Sequence, residues 1–299
     1  MRTSPHSRRT FRRNERARAT GNATGAAVLA LVALVATGCA ASGADGADGT
    51  DATDAAASGT FTAPPAGAQP DYQLGGAYDP ASDVGIVGRD RAAEPADGVY
   101  SVCYVNGFQT QPGEFDLWDD DLLLQRDDEP VFDPDWPDEA LVDTSSSEKR
   151  DRIAALVTPW IEGCAGAGFD AVEFDNLDSY TRSDGALTLD GNLALATMLV
   201  DAAHDAGLAA GQKNAAEDAA VLHDEAGFDF AVTEECAAYE ECGAYTEVYG
   251  DAVIDIEYTD ELPRTFAEMC ADPESPASMV LRDRDLVTPD DDAYVFETC

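Results

Sequence analysis

Eight short apolar segments alternate with segments of helical periodicity, and this alternation restricts the fold more than any other feature of the sequence. The predicted strands are 71–75, 84–87, 99–105, 169–174, 208–212, 228–233, 253–257 and 279–281. Strands and helices that alternate through short connections are typical of a parallel sheet. Eight strands favour an α/β fold of the (β/α)8 TIM-barrel type over an open sheet. The chain also lacks the glycine-rich phosphate loop of a dinucleotide-binding sheet.

Four segments have the apolar spacing of amphipathic helices, namely 148–165, 190–206, 215–225 and 238–249. In the first segment, Ile153, Val157 and Ile161 recur at intervals of four, which indicates one buried face. Gly207 follows the second segment as a helix stop, and a predicted strand begins at Leu208. The helices therefore fit between the predicted barrel strands.

The first 38 residues predict an export signal of the twin-arginine type rather than part of the fold. Arginines 8, 9, 12 and 13 precede an apolar run at 26–36, which is too short to span a bilayer. Small residues before Cys39 resemble a lipobox, so we expect cleavage there and a lipid on the Cys39 sulfur. The alternative is an ordinary signal peptide with a chance cysteine. The protein is thus expected to be an exported cell-surface lipoprotein, or to be secreted.

The composition changes twice after this signal. Residues 39–69 contain mostly Ala, Gly, Asp, Thr, Ser and Pro, which cannot bury enough apolar surface to fold, so we predict a flexible linker. Residues 70–299 suit one compact domain, and we expect a monomer.

The chain is strongly acidic, with 59 Asp and Glu against 18 Lys and Arg and a formal net charge of −41. A negative field of this size disfavours nucleic-acid binding. It would attract a cationic ligand. Adaptation to high salt, or simply a solvated acidic surface, explains the charge equally well.

Seven cysteines are present, and six remain if Cys39 carries a lipid. An even number in an exported protein predicts disulfides. We expect Cys236 with Cys242, Cys270 with Cys299, and Cys103 with Cys164, which is one of fifteen possible connectivities. A metal site is disfavoured because there is no Cys-x-x-Cys and the three histidines lie near none of the cysteines. No cofactor is expected.

Polar side chains occupy the downstream ends of six predicted strands. They are Asn106; Asp175 and Asn176; Lys213 and Asn214; Glu234 and Glu235; Glu257 and Tyr258; and Arg282, Asp283 and Arg284. In a barrel these ends meet on one rim, which is where such folds carry their active sites. Stability alone does not explain so many polar ends, because each one loses hydration near the core.

Facing carboxylates without metal ligands indicate acid–base or nucleophilic work at a glycosidic bond. Crowded carboxyls have divergent pKa values, so one can be protonated while the other is ionised. Lys213 and Arg282 could keep neighbouring carboxylates ionised. A Ser-His-Asp system is disfavoured because there is no Gly-x-Ser-x-Gly, and His204 lies within a predicted helix.

A long insertion, 107–147, interrupts the alternation and contains aromatic residues and many carboxylates. Long insertions after a barrel strand usually cover the mouth of the site. Aromatic side chains such as Trp118 and Trp136 would suit either sugar stacking or a small core within the insertion.

Several segments in the same order resemble glycoside hydrolase family 114, the endo-α-1,4-polygalactosaminidases, over about residues 72–299. They are 103–106, 168–178, 203–208, 212–214, 234–242 and 256–258. The resemblance implies a TIM barrel that cleaves α-1,4-linked galactosamine polymers, which are cationic when deacetylated. The implied catalytic pair matches Asp175 and Glu234. Strand alternation allows only one of Glu234 and Glu235 to face the rim centre.

The remaining rim residues become candidates for binding the sugar or supporting the site. They are Asn106, Glu173, Asn176, Asp178, Tyr180, Lys213, Asn214, Glu257, Tyr258, Arg282 and Asp283. One alternative is a non-catalytic carbohydrate-binding lipoprotein on the same scaffold. Another is a structural surface protein with a closed barrel mouth.

Overall fold

The sequence alternation folds into a nearly closed barrel. A computed structural model describes residues 61–299. In chain order, strands β1 to β8 span Gln69–Tyr72, Val84–Asp90, Tyr100–Asn106, Ala171–Asp175, Ala209–Lys213, Phe230–Glu234, Val253–Tyr258 and Ser278–Arg282. Each pairs in parallel with the next. The predicted (β/α)8 class and all eight strands are confirmed, with ends shifted by a few residues.

The barrel is closed between β1 and β8 by a side chain. Within residues 61–299, β1 and β8 share no backbone ladder, and a short strand β9, Phe296–Thr298, pairs antiparallel with the edge of β8 that faces away from β7. The fully buried Arg282 on β8 donates from Nη1 to the carbonyl oxygen of Tyr72 and, at 2.8 Å, to Asp71 Oδ1. Arg282 therefore joins the first and last parallel strands.

Five helices cover the outside: α1 Ser147–Ala167, α2 Leu189–Asp205, α3 Ala219–Val221, α4 Cys242–Tyr249 and α5 Phe266–Cys270. The first two confirm the prediction. Ser146 caps the start of α1, and Gly168, with φ of +100°, ends it. In the part of the chain that the structure describes, no helix follows β1, β2 or β8.

The later helices differ from the prediction. Segment 215–225 begins as the 3-10 turn Ala216–Asp218 and ends as the π-helical turn Leu222–Ala226, so α3 itself is short. Segment 238–249 becomes helical only at Cys242, where a disulfide to Cys236 closes the preceding loop. Helix α5 was not predicted, because five residues are too few to show a helical period; Thr265 and Glu268 form its capping box.

The insertion contains little regular structure. It has 3-10 turns at Phe115–Leu117 and Asp120–Leu122 and a two-residue hairpin of Gln125–Arg126 with Glu129–Pro130. A further 3-10 turn, Ser179–Arg182, follows β4. No helix within residues 61–299 has both the length and the apolar character needed to cross a bilayer.

Strand alternation divides the core into two layers. Apolar residues that point into the barrel include Ile86, Val102, Ala171, Phe230 and Ile256. Residues at the intervening positions, together with the apolar faces of the helices, form the larger outer core. Along each strand, the side chains that point into the barrel are therefore apolar at first and become polar towards the carboxyl end.

All three predicted disulfides are present. Cys103–Cys164 joins β3 to α1, Cys236–Cys242 closes the loop after β6, and Cys270–Cys299 joins α5 to the last residue. The chosen connectivity among fifteen is thus confirmed.

The predicted linker, 39–69, extends too far along the chain. Phe61 stacks on His204 with ring centroids 4.2 Å apart, and the Tyr100 hydroxyl donates to the Thr62 carbonyl at 2.6 Å. These contacts attach residues 61–69 to the barrel, whereas composition alone predicted no buried partner for them. The predicted signal 1–38 and Cys39 lie outside the described residues.

Candidate active site

Three charged residues occupy the ends of neighbouring strands and face the interior of the barrel. Asp175, Lys213 and Glu234 are the last residues of β4, β5 and β6. Each lies two positions beyond another interior-facing residue of its strand, so alternation alone directs all three to the same side. The structure therefore brings together the predicted pair and the predicted lysine.

Lys213 holds the centre of this group. Its Nζ lies 3.5 Å from Glu234 Oε2, 3.9 Å from Asp175 Oδ2 and 2.9 Å from the Tyr72 hydroxyl. Burial lowers the pKa of Lys213, but the carboxylates of Glu234, Asp175 and Glu173 outweigh this and raise the pKa above its ordinary value. The lysine is thus a permanent cation beneath the carboxylates.

The two carboxylates are more accessible than the lysine between them. The exposed fractions of the side chains are 19% for Asp175 and 30% for Glu234, against 2% for Lys213. A ligand in the barrel mouth can therefore contact the carboxylate oxygens, while the ammonium group contacts the protein.

Asp175 is oriented from both sides. Its Oδ2 accepts a hydrogen bond of 2.8 Å from the Tyr104 hydroxyl, and its Oδ1 accepts one of 2.7 Å from the backbone N–H of Asn176. Asn176 adopts a positive φ of 63°, which turns the chain sharply at the end of β4. Asparagine adopts this backbone conformation more readily than most residues do, so Asn176 suits the position directly after Asp175.

Glu234 is held by the neighbouring strands. The Tyr258 hydroxyl donates to Oε1 at 2.5 Å, and Asn214 Nδ2 donates to Oε2 at 3.0 Å. Asn214 also accepts the backbone N–H of Glu234 at 2.8 Å through Oδ1. The predicted residues Asn214 and Tyr258 are therefore part of the site through their contacts with Glu234.

Glu173 lies one layer below the pair and is completely buried. It accepts a hydrogen bond from Tyr72, whose hydroxyl in turn accepts from Lys213. Burial raises the pKa of Glu173 to about 7, although Lys213 and the Tyr72 hydrogen bond oppose the increase. No described residue bonds to its Oε2. Glu173 therefore supports the site from beneath and does not line the mouth.

Arg182 organises the rim beside Asp175. Its Nη1 donates to Asp178 Oδ1 and its Nη2 to Asn176 Oδ1, each at 2.9 Å, while its Nε lies 2.6 Å from Asp133 Oδ2. Two of the predicted sugar-binding residues, Asp178 and Asn176, are thus held by a residue that was not predicted. Arg182 also connects the rim to the insertion.

Tyr180 and Asn106 lie on the same rim. The Tyr180 hydroxyl donates to Asp218 Oδ2 at 2.8 Å, which links the turn after β4 to the turn after β5. Asn106 is the register partner of Asp175 in the β3–β4 ladder, and its Nδ2 donates to Glu139 Oε2 at 3.1 Å. Asn106 is therefore adjacent to Asp175, whereas Tyr180 joins two rim turns.

The insertion contains a small core, and one of its two tryptophans stays outside that core. Trp118 is buried and packs edge-on against Trp160, and Phe115 stacks on Phe132, so part of the insertion is a small core. Trp136, by contrast, is 52% exposed. The insertion also supplies Glu139, whose pKa is raised to about 7 by burial and by the charge of Asp175.

Three predicted binding residues lie away from the mouth, which corrects their assignment. The Glu257 carboxylate points to the outer side of β7 and accepts the backbone N–H groups of Ala237 and Ala238, so it positions the loop after β6. Arg282 closes the barrel as described. Asp283 accepts from the backbone N–H of Val287 at 2.9 Å and stabilises the C-terminal segment.

Glu234 and Glu235 point in different directions, so only one of them faces the barrel mouth. Glu235 has a positive φ of 62° and is buried against Arg284, with Nη2 2.7 Å from its Oε1. Glu234 alone points towards Lys213. The sequence did not indicate Tyr72, Tyr104, Glu139 or Arg182, of which only Tyr104 lay within a segment that carried the family resemblance.

One group of side chains has the composition of a metal site. Cys236, Cys242 and Asp255 lie close enough to share an ion. The two cysteines form a disulfide, so neither offers a thiolate. Asp255 accepts from Thr233 Oγ1 at 2.7 Å and from the backbone N–H of Cys236 at 3.1 Å, which gives it a structural role.

Comparisons with known proteins agree with this fold. The model of glycoside-hydrolase family GH114 matches residues 50–299. Aspergillus fumigatus Ega3, solved in complex with galactosamine, superposes with a TM-score of 0.65 and 23% identity over 80% of this chain and 98% of that chain. A variant of the glycoside hydrolase domain of Pseudomonas aeruginosa PelA superposes with a TM-score of 0.50 and 14% identity over 77% of this chain and 99% of that chain. No match was found among curated proteins.

A nearly closed parallel barrel with polar residues at its carboxyl rim has the architecture of a TIM-barrel enzyme, and the family model identifies this one as a glycosidase. The match of the family model covers most of the chain. The protein therefore belongs to glycoside hydrolase family GH114.

Proposed function

We propose that the protein hydrolyses α-1,4-linked galactosamine polymers by means of Asp175 and Glu234. The observation that supports this most strongly is the location of both carboxylates around one buried ammonium, with their oxygens 3.9 and 3.5 Å from Lys213 Nζ. The nearest oxygens are no further apart than the sum of these distances. That upper limit lies below about 9.5 Å, the widest separation of carboxyl pairs in glycosidases, so the geometry is compatible with either a retaining or an inverting reaction.

The proposed reaction breaks the bond between the anomeric carbon and the glycosidic oxygen. One carboxyl group transfers its proton to the leaving oxygen, and the other, ionised, attacks the anomeric carbon or removes a proton from the attacking water. Lys213 and the tyrosine donors stabilise negative charge on the pair between these steps. Glu173 stays below the reacting atoms and keeps Tyr72 and Lys213 in place.

The nature of the substrate is inferred from charge and from the family. A deacetylated galactosamine polymer is polycationic, and a net charge of −41 with carboxylates at the mouth favours its approach. The galactosamine found with Ega3 supports the same sugar here. We also propose that the chain acts as a monomer at the cell surface, anchored through a lipid on Cys39, and that nucleic acid is not a partner.

The decisive test compares three variants of the full chain on partially deacetylated polygalactosamine, with products read by mass spectrometry. Asp175→Asn and Glu234→Gln should each reduce the rate by about 10³-fold or more, as loss of an essential acid or nucleophile does. Glu235→Gln is the matched control, because that neighbour faces away from the mouth. Normal cleavage by either of the first two variants would reject the assignment, and binding without any cleavage by the unmodified protein would favour the non-catalytic alternative.

The anchor requires a separate experiment. Radiolabelled fatty acid supplied to cells should label the unmodified protein but not Cys39→Ala. Equal labelling of the two proteins would contradict lipidation at Cys39.

A further inference from the structure

The turn at 133–139 of the insertion is rigid and lies against the rim. Asp133 accepts the backbone N–H groups of Asp135 at 2.8 Å and Trp136 at 3.2 Å, and also Gln109 Nε2 at 2.7 Å. Its Oδ2 additionally pairs with Arg182 Nε at 2.6 Å. Through Arg182, which also donates to Asn176 directly after Asp175, this turn is connected to the rim of the site.

Glu139, at the end of this turn, is half-buried beside the pair. Its carboxylate accepts a hydrogen bond from Asn106 Nδ2 at 3.1 Å, and Asn106 is the ladder partner of Asp175. No ion pair to Glu139 is formed within residues 61–299. Such a carboxylate, half-buried without a cation, has lost hydration without a compensating charge.

The charges around Glu139 explain its titration. Burial raises its pKa to about 7, the negative charges of Asp175 and Asp133 act in the same direction, and Asn106 and Arg182 oppose them. Arg182 is already paired with Asp133 and Asp178, so its charge is shared. A cationic group of a ligand in the mouth could therefore form an ion pair with Glu139.

We infer that Glu139 binds the ammonium group of a galactosamine unit next to the scissile bond and so selects deacetylated sugar. The inference rests on the proposed function, because it assumes that a galactosamine polymer occupies the mouth. An ammonium group would complete the charge pair that the protein leaves open at Glu139. An N-acetyl group has no charge and would gain nothing from this carboxylate.

Trp136 provides an internal comparison. It lies on the same turn, three residues before Glu139, and is 52% exposed, so its ring is open for stacking on a sugar. Stacking uses the apolar face of the sugar, which acetylation of the amine leaves unchanged. Trp136 should therefore contribute equally to acetylated and deacetylated chains, whereas Glu139 should distinguish between them.

The test measures steady-state kinetics of the full chain on defined oligomers of galactosamine and of N-acetylgalactosamine. With Glu139→Gln, KM for the galactosamine oligomer should rise about ten- to hundredfold, as expected for a hydrogen bond to a charged group, with little change in kcat. KM for the acetylated oligomer should be unchanged. Asp138→Asn, which removes an exposed carboxylate from the same turn, should leave both values unchanged.

Trp136→Ala should raise KM for both oligomers by a similar factor. Equal loss with the two oligomers in Glu139→Gln, no loss with either, or the same loss in Asp138→Asn would overturn the role of Glu139. The pH dependence gives a second criterion: from about pH 5.5 to about pH 6.5, where the sugar ammonium keeps its proton, KM of the unmodified protein for the galactosamine oligomer should fall as Glu139 begins to ionise. Glu139→Gln should not show this fall.

Calorimetric binding of the galactosamine oligomer separates this inference from the proposed function. If the unmodified protein binds the oligomer through Glu139 but does not cleave it, the hydrolase proposal fails and the recognition role stands. If cleavage depends on Asp175 and Glu234 but binding does not depend on Glu139, the hydrolase proposal stands and the recognition role is rejected.

Discussion

Lys213 Nζ lies 3.5 Å from Glu234 Oε2, although only 2% of the lysine side chain is exposed. A buried ammonium group cannot be hydrated and must be balanced by nearby negative charge. Asp175, 3.9 Å away on the other side, completes the balance. The lysine and the two carboxylates therefore act as one electrostatic unit. Neutralising any one of the three changes the electrostatic environment of the other two.

Removal of the central cation should strongly reduce the rate of catalysis. In Lys213→Met, Asp175 and Glu234 lose the positive charge that offsets their mutual repulsion. The repulsion then favours protonation of one of the two carboxylates. We expect kcat to fall about a hundredfold or more, measured on the galactosamine polymer. Lys149→Met is a suitable control because Lys149 pairs with Asp143 at the start of α1. Equal activity in both lysine variants would contradict the central role of Lys213.

Glu173 should make the folded state less stable as pH rises. Its pKa is raised to about 7 when folded, against about 4.3 in an unfolded chain, so the folded protein retains a proton that the unfolded chain releases. This contribution to stability is complete below about pH 4.3 and is lost as pH rises through about 7.

The glutamine variant tests this dependence. From about pH 5 to about pH 8, the free energy of unfolding of Glu173→Gln should improve relative to the unmodified protein by about 2 kcal/mol, measured by urea denaturation. Glu162→Gln, at an exposed position of α1, should show no such trend. A constant difference between Glu173→Gln and the unmodified protein over this range would show that Glu173 does not hold the proton.

One disulfide should matter more for the stability of the fold, and another should matter more for catalytic activity. Cys103–Cys164 spans 61 residues and Cys236–Cys242 only 6, so chain entropy predicts losses of about 4 and about 2 kcal/mol when each is replaced by serines. The short loop, however, directly follows Glu234. We expect its double variant to lose more kcat, measured under conditions in which both variants remain folded.

The contacts of this loop set the control for that comparison. Asp255 and Glu257 also hold its backbone, so a folded protein without Cys236–Cys242 keeps part of the loop geometry. A larger loss of kcat in the Cys103–Cys164 variant would show that the loop disulfide does not help to position Glu234.

The sequence predicted the strands and the central residues because both follow from local periodicity. Interior-facing positions two residues apart lead from buried apolar side chains to Asp175, Lys213 and Glu234, so the strand pattern also locates the site. Glu257 was wrongly assigned to the rim because all polar residues at a strand end were included, whichever side of the strand they face. Its neighbour Tyr258 faces the interior, so Glu257 must face outward.

Other parts of the site depend on contacts between distant parts of the chain. Tyr72 meets Glu173 across 101 residues, and no pattern around either residue indicates the contact. Glu139 is one of many carboxylates in the insertion, and only the fold distinguishes it by bringing it to Asn106. Arg282 had the appearance of a rim cation, because a sequence does not show where a barrel closes.

The closure by Arg282 gives the barrel a preferred line of opening. Side-chain contacts between β1 and β8 replace the ladder that joins every other pair of neighbours, so among the eight barrel strands amide hydrogen exchange should be fastest along β1, which has a ladder on one side only. In a ring of eight strands, this line lies opposite β4 and β5, which carry Asp175 and Lys213. Opening of the sheet along this line would therefore reach the charged group through Tyr72 on β1, whose hydroxyl contacts Lys213 and Glu173.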